Sequence, residues 1–107
     1  MYRVNVSFFL KYEDYPRFER FLRSTLIPLI RRDEGVVDVH LLDLIPQVSS
    51  LSQPIEDKTM ALLISLYNEE DFKRYFPDVL KERIKLVVET FGESVLYHTS
   101  PMKEMRI

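Results

Sequence analysis

The sequence predicts a single α+β domain built from four strands and two helices. Three observations lead to this fold class. Four segments alternate apolar and polar residues with a period of two, two segments carry apolar residues at helical spacing, and the segments follow one another in the order βαββαβ. A chain of 107 residues has the commonest size for one domain. We therefore expect one domain over residues 1–107.

The first strand and the first helix are separated by a change of period after Leu10. The strand carries alternating apolar residues at Val4, Val6, Phe8 and Leu10. The helix carries apolar residues on one face, namely Phe18, Phe21, Leu22, Leu26, Leu29 and Ile30. Asp14 is the expected N-cap, and Gly35 lies where the chain must leave the helix. Because Pro28 lacks an N–H, we expect a kink or an early end of the helix near it.

The middle of the chain is predicted to form two strands with a loop between them. Residues 36–45 alternate as the second strand, and residues 58–67 alternate as the third. The segment 46–57 contains Pro46, Pro54 and three serines. We expect it to be a loop long enough to cover part of the domain.

The second helix begins at Asn68, its expected N-cap, and acidic residues follow where they favour the positive end of the helix dipole. Its apolar stripe consists of Phe72, Tyr75, Phe76, Val79, Leu80, Ile84, Val87 and Val88. Pro77 is expected to break or bend this helix, and Gly92 suits its end. A short fourth strand is predicted over residues 95–97, before Pro101 and a polar tail.

The order βαββαβ is typical of the ferredoxin-like fold, in which two helices cover one face of a four-stranded antiparallel sheet of order 4-1-3-2. The alternation places large side chains on the other face, namely Phe9, Leu42, Leu44, Leu63 and Tyr67, beside the polar Asn5, Ser7, His40 and Ser65. A solvated antiparallel face should be cleanly polar. Large apolar side chains left in water forgo roughly 1.5 to 3 kcal/mol each. We therefore expect a homodimer that packs through this face.

The composition argues against several classes of partner and cofactor. The chain has 15 Lys and Arg against 17 Asp and Glu, a net charge of -2, so no basic field favours nucleic acid. With 0 Cys and no paired histidines on one helical turn, we expect no metal site and no cofactor. The N-terminus lacks an apolar signal segment, and no apolar stretch approaches the ~20 residues that span a bilayer. We therefore expect a cytoplasmic protein that does not contact membranes.

Three short motifs lie in or after the predicted helices. They are Ile27-Pro28 late in the first helix, Phe76-Pro77 within the second, and the closing segment Phe91-Gly92-Glu93-Ser94-Val95-Leu96. With the order of elements, they resemble an uncharacterised bacterial family within the dimeric α+β barrel superfamily. The resemblance spans nearly the whole chain and implies a dimeric barrel. Members of that family often carry a His just before each helix-proline element, where this chain has Leu26 and Tyr75.

The wider superfamily that the chain resembles includes cofactor-independent monooxygenases, haem-degrading enzymes and muconolactone-isomerase-like proteins. In monooxygenase-like barrels a strand-one Asn sometimes polarises the substrate, so the resemblance makes Asn5 the first catalytic candidate. The alternative is that Asn5 forms hydrogen bonds at an interface. The haem-degrading branch uses a Trp, and this chain has 0 Trp, so haem chemistry is not expected.

Five further residues are candidates for a site. His40 is a catalytic candidate and His98 a ligand-binding candidate, because imidazole changes charge near neutrality; the alternative for each is a surface or interface role. Arg83 occupies the polar slot in an apolar helical stripe, where a buried guanidinium needs a partner. It either binds a ligand carboxylate or extends toward water. Tyr67 and Tyr75 either line a pocket for an aromatic compound or pack as amphipathic side chains.

Three functions remain open at this point. The preferred one is a homodimer that binds a small hydrophobic or aromatic molecule between helices and sheet without catalysis. The alternatives are a cofactor-independent monooxygenase or isomerase and a purely structural dimer. A pocket of at least ~300 Å³ would favour the first two, provided that it receives at least two of four polar side chains, Asn5, His40, Tyr67 and Arg83.

Overall fold

A computed structural model describes residues 1–45 and 57–107 of the chain. It contains one four-stranded antiparallel sheet in the order β2-β3-β1-β4, which confirms the predicted order 4-1-3-2 and the ferredoxin-like fold. The strands are β1 (Tyr2–Lys11), β2 (Val36–Asp43), β3 (Asp57–Leu66) and β4 (Val95–Lys103). The predicted loop over residues 46–57 lies outside the described residues except for Asp57, which begins β3.

The core lies between the sheet and the helices, because the register of β1 and β3 points the apolar side chains of both strands to the same face. Their register places Val4 opposite Ile64 and Val6 opposite Leu62, and all four side chains are almost completely buried. Each such side chain contributes roughly 1.5 to 3 kcal/mol by leaving water. The remaining buried apolar residues of these two strands follow the same parity, namely Phe8, Leu10, Met60 and Leu66, whereas Ser65 is buried on the opposite face.

The first helix, which we call α1, is continuous from Tyr15 to Arg31. It consists of α-helical Tyr15–Phe21, a π-helical turn Leu22–Leu26 and α-helical Ile27–Arg31. A short 3₁₀ turn, Tyr12–Asp14, connects it to β1. Asp14 occupies the N-cap position, but its side chain makes no capping hydrogen bond.

The second helix, which we call α2, is built in the same three parts. It consists of α-helical Glu69–Arg74, a π-helical turn Tyr75–Val79 and α-helical Leu80–Phe91. Asn68 caps it as predicted, since its Oδ1 accepts a hydrogen bond of 2.9 Å from the Asp71 N–H. The helix ends at Gly92, whose φ of 60° suits a residue without Cβ.

Neither helix ends at its internal proline. Of the predicted kink or early end near Pro28 and the predicted break or bend at Pro77, the early end and the break do not occur. In each case a π turn lies at or just before the proline: Leu22–Leu26 precedes Pro28, and Tyr75–Val79 contains Pro77. The Ile27 N–H donates to the Leu22 carbonyl, and the Leu80 N–H donates to the Tyr75 carbonyl, five residues back in both helices. A wider turn tolerates a missing N–H and relieves the crowding between the proline ring and the preceding turn.

The fourth strand is longer than predicted. It runs through Pro101 to Lys103 and pairs along β1, with Pro101 opposite Val4. Because β4 is an edge strand, a residue without an N–H can be accommodated on its unpaired side. The second strand is shorter than predicted, since it ends at Asp43.

Candidate functional site

The sheet face turned away from the helices, which we call the outer face, carries the predicted mixture of apolar and polar side chains. Phe9 is 42% exposed, Leu42 is 44% exposed and Leu44 is 60% exposed, while Leu63 is half-buried. Tyr67 follows the end of β3 and is 71% exposed. Two exposed apolar side chains of β4 also lie on the outer face: Leu96, within the predicted part of the strand, and Met102, within the part that was not predicted. The outer face therefore carries more exposed apolar surface than the sequence predicted.

The polar residues of the outer face form local pairs. The Asn5 Nδ2 donates to the Ser7 Oγ at 2.9 Å, and the His40 Nε2 lies 2.7 Å from the Asp38 Oδ2. His98 is exposed and lies opposite Ser7 in the register. Asn5 and His40 share one row across the sheet, with Leu63 between them. Two strand spacings therefore separate their backbones by about 10 Å, too far for direct contact between the two catalytic candidates.

Arg83 has its carboxylate partner within the chain. Its Nε donates to the Asp33 Oδ2 at 2.9 Å and its Nη2 to the Asp33 Oδ1 at 2.5 Å. The Tyr75 hydroxyl donates to the same Oδ2 at 3.1 Å. Asp33 therefore accepts three hydrogen bonds and connects the turn after α1 to α2. This bidentate geometry is the one expected between Arg83 and a ligand carboxylate.

Burial and charge keep Tyr75 and Arg83 protonated. Burial, followed by the nearby Asp33 carboxylate, raises the pKa of Tyr75 far above its usual value, so its hydroxyl remains a donor. The hydrogen bond to Asp33 raises the pKa of Arg83. Asp33 lies after the helix and outside any periodic stripe, so sequence reasoning missed it. The sequence pointed to Asp33 indirectly, because a partly buried guanidinium such as that of Arg83 requires an acidic partner.

A cleft opens on the helix side of the sheet, between the second half of α2 and β4. We call it the α2–β4 cleft; its volume is about 600 Å³. Nine residues line it: Phe76, Leu80, Lys81, Glu82, Ile84, Lys85, Val88, Tyr97 and Thr99. Its lining is apolar at the helix stripe and polar at Thr99, Glu82 and the two lysines.

The cleft exists because β4 and α2 diverge. Val95 is the buried residue of β4, whereas Tyr97, two positions on and facing the same way, is 48% exposed. On the helix, Val88 belongs to the apolar stripe and is nevertheless 43% exposed. The apolar stripe of α2 is therefore wider than the part of this helix that the sheet covers.

None of the predicted site residues lines the α2–β4 cleft. Tyr75 and Arg83 bind Asp33, and the other four, Asn5, His40, Tyr67 and His98, lie on or next to the outer face. A hollow of about 490 Å³ on the outer face receives His40 but not Asn5, Tyr67 or Arg83. Neither the cleft nor the hollow receives two of the four polar side chains Asn5, His40, Tyr67 and Arg83, so the condition set for these residues is not met. Their roles in a site remain predictions, and the case for a ligand rests on the volume and lining of the α2–β4 cleft.

The described part of the chain offers no metal centre, since no three His, Cys, Asp or Glu side chains in residues 1–45 and 57–107 are placed to hold an ion. Every buried side-chain nitrogen or oxygen in these ranges has a hydrogen-bond partner. No helix in these ranges is long and apolar enough to span a membrane.

Comparison with solved structures shows the same fold over nearly the whole chain. A protein of the ethyl tert-butyl ether D (EthD) family from Bacillus halodurans has a TM-score of 0.64 and 18% identity, covering 98% of this chain and 100% of its own. A candidate antibiotic biosynthesis monooxygenase from Deinococcus radiodurans has a TM-score of 0.64 and 11% identity, covering 100% and 95%. HapK from Hahella chejuensis has a TM-score of 0.59 and 11% identity, covering 98% and 93%.

No family model and no curated protein matches the chain. At 11% to 18% identity the three structures show the fold alone. Membership of the dimeric α+β barrel superfamily, and of the narrower bacterial family within it, remains a prediction.

We predict that Arg83→Met lowers the free energy of unfolding by roughly 1.5 to 3 kcal/mol, since it removes hydrogen bonds to a charged group and leaves Asp33 without its cation. Urea denaturation followed by circular dichroism measures this loss. The control is Arg31→Met at the end of α1, where the side chain is exposed and forms no ion pair with a described residue. Equal stability of the two variants would contradict a stabilising role for the Arg83–Asp33 pair.

Proposed function

We propose that this chain is a homodimeric protein that binds a small apolar or aromatic molecule. Two copies pack through their outer faces, and each copy binds its ligand in the α2–β4 cleft without chemical conversion. The observation that carries the proposal is the cleft itself. At about 600 Å³ it falls within the range of ligand sites, and its lining is mainly apolar with a few polar groups.

The dimer is supported by the exposed side chains of the outer face. Leu42, Leu44, Phe9 and Leu96 are each between 42% and 63% exposed. An apolar patch of this kind on an antiparallel sheet is typical of a protein interface. A second sheet packed about 10 Å away would cover these side chains, as in a β-sandwich.

The polar middle of the outer face is compatible with such an interface. Asn5 and Ser7 are joined by a hydrogen bond of 2.9 Å, and His40 contacts Asp38. A buried polar group that has a partner costs far less than one without. These pairs lower the cost of covering the face, while the Asn5 Oδ1 and the Ser7 hydroxyl hydrogen need partners from the second copy.

Binding, rather than catalysis, is supported by where the candidate residues lie. Asn5 and His40 face away from the α2–β4 cleft, because odd-numbered residues of β1 and even-numbered residues of β2 point to the outer face. Among the described residues the cleft offers Lys81, Glu82 and Lys85 as its charged groups. A molecule held there lies on the opposite side of the sheet from both catalytic candidates.

A cofactor-independent monooxygenase or isomerase is the second candidate function. The observation that favours it is the fold shared with a candidate antibiotic biosynthesis monooxygenase at a TM-score of 0.64. In this function Asn5 and His40 act on an aromatic substrate enclosed at the outer face. The two functions therefore place the ligand on opposite faces of the sheet.

We predict that the wild-type protein sediments as a dimer at micromolar concentration and that Leu63→Lys sediments as a monomer. Leu63 lies in a central row of the outer face, between Asn5 and His40, so the substitution places two like charges across the interface. Sedimentation velocity measures the change. The control is Thr90→Lys on the exposed side of α2, which should remain dimeric. A monomeric wild-type protein, or a dimeric Leu63→Lys variant, would contradict this interface.

We predict that the neutral probe N-phenyl-1-naphthylamine binds the wild-type protein with increased fluorescence and that Val88→Trp weakens this binding at least tenfold. The indole fills the α2–β4 cleft from a half-exposed position, where the larger side chain does not overpack the core. The control is Glu70→Trp at the exposed start of α2. Binding that is absent from the wild type, or unaffected by Val88→Trp, would contradict the proposed site.

In its monooxygenase form, the second function predicts oxygen uptake with hydroxylated aromatic compounds and its loss in Asn5→Ala. An oxygen electrode measures the uptake, and Ser100→Ala serves as control because Ser100 lies opposite Asn5 on β4. The first function predicts no uptake above a protein-free control. Turnover that persists unchanged in Asn5→Ala would remove Asn5 from any mechanism.

A further inference from the structure

We propose that the α2–β4 cleft selects molecules that carry an acidic group on their apolar body, with Lys81 and Lys85 as the residues that bind the anion. This inference rests on the proposed function, since it names the ligand class of the same site. Both lysines line the cleft together with Ile84 and Val88. Apolar and cationic groups are thus combined in one site.

Helical geometry places the two lysines side by side at the mouth of the cleft. Lys81 and Lys85 are four residues apart, so they are neighbours on one side of α2. Val88 follows Lys81 by seven residues, two turns along the same side. An apolar body that contacts Val88 therefore brings an attached anionic group within reach of both ammonium groups.

The charges of the cleft favour an anion. Two lysines and one acid, Glu82, line it, which leaves one positive charge in excess among the lining residues; Glu89, outside the lining, lies beside Lys85. The chain as a whole has a net charge of -2, so this excess is local. Among residues 1–45 and 57–107, Lys81 forms no ion pair within 4.0 Å.

The ion pair of Lys85 is weak enough to be exchanged for a ligand. Its Nζ lies 4.0 Å from the Glu89 Oε1, and the two side chains are 63% and 61% exposed. Exposed pairs between helical neighbours contribute little to stability. An anion between Lys81 and Lys85 therefore competes with a loosely held carboxylate.

The strand side of the cleft supplies hydrogen-bond donors. Tyr97 and Thr99 both face the cleft from β4. Neither hydroxyl makes a hydrogen bond with another side chain in the described part of the protein. A carboxylate, sulfonate or phenolate oxygen can accept from these hydroxyls while the lysines balance its charge.

The test compares two probes of nearly equal shape, neutral N-phenyl-1-naphthylamine and anionic 1-anilinonaphthalene-8-sulfonate, titrated by fluorescence at low and high salt. We expect the anionic probe to bind about fivefold more tightly at low salt, and high salt to remove this difference. Lys81→Gln and Lys85→Gln should each weaken the anionic probe severalfold and change the neutral probe less than twofold. Lys73→Gln is the control, because Lys73 lies on the same helix outside the cleft.

The outcomes separate the two proposals. If the neutral probe binds and Val88→Trp blocks it, but the anionic probe gains no affinity from Lys81 and Lys85, then the acidic-ligand proposal is overturned and the proposed function survives. If Lys73→Gln weakens the anionic probe as strongly as the two cleft variants, the effect is general surface charge and the acidic-ligand proposal is again overturned. If neither probe binds at a site blocked by Val88→Trp, the proposed function itself fails.

Discussion

The antiparallel pairing of β1 with β3 is the contact on which the rest of the structure depends. One register, with Val6 opposite Leu62 and Asn5 opposite Leu63, decides the character of both faces of the sheet. The even-numbered side chains of β1 and β3 form the core beneath the helices, and their odd-numbered side chains form the middle of the outer face. Since the side-chain period of a strand is two, a one-residue shift in the register of β1 against β3 would exchange the side chains of the two faces.

The sheet covers the apolar faces of the two helices, and one partly buried ion pair connects the turn after α1 to α2. Asp33 accepts hydrogen bonds from Arg83 and Tyr75, which lie in two different segments of α2. One of these segments is the π turn that precedes Leu80 and meets Pro77. The irregular turn is thus held by a tertiary hydrogen bond at its first residue, Tyr75, which is 1% exposed.

The sequence predicted those features that arise from local periodicity. The alternation of β1 and β3 and the cap at Asn68 were correctly predicted, because each depends on residues close together in the chain. The length of β4 was not, because the pairing of Pro101 with Val4 joins residues almost a whole chain apart. The α2–β4 cleft was missed for a similar reason. Its existence depends on how far a helix and a strand diverge, and the helical stripe alone does not report this.

The alternation of β4 gives this edge strand two different chemical surfaces. Leu96 and His98 point to the outer face, whereas Tyr97 and Thr99 point to the cleft. A slip of one residue against β1 would exchange these pairs, which would bring an imidazole into the cleft and a phenol to the outer face. Pro101 limits the hydrogen-bonding patterns that such a slipped strand can form, because it has no N–H to donate. The register of this one edge strand therefore determines which of its side chains lie on the outer face and which line the α2–β4 cleft.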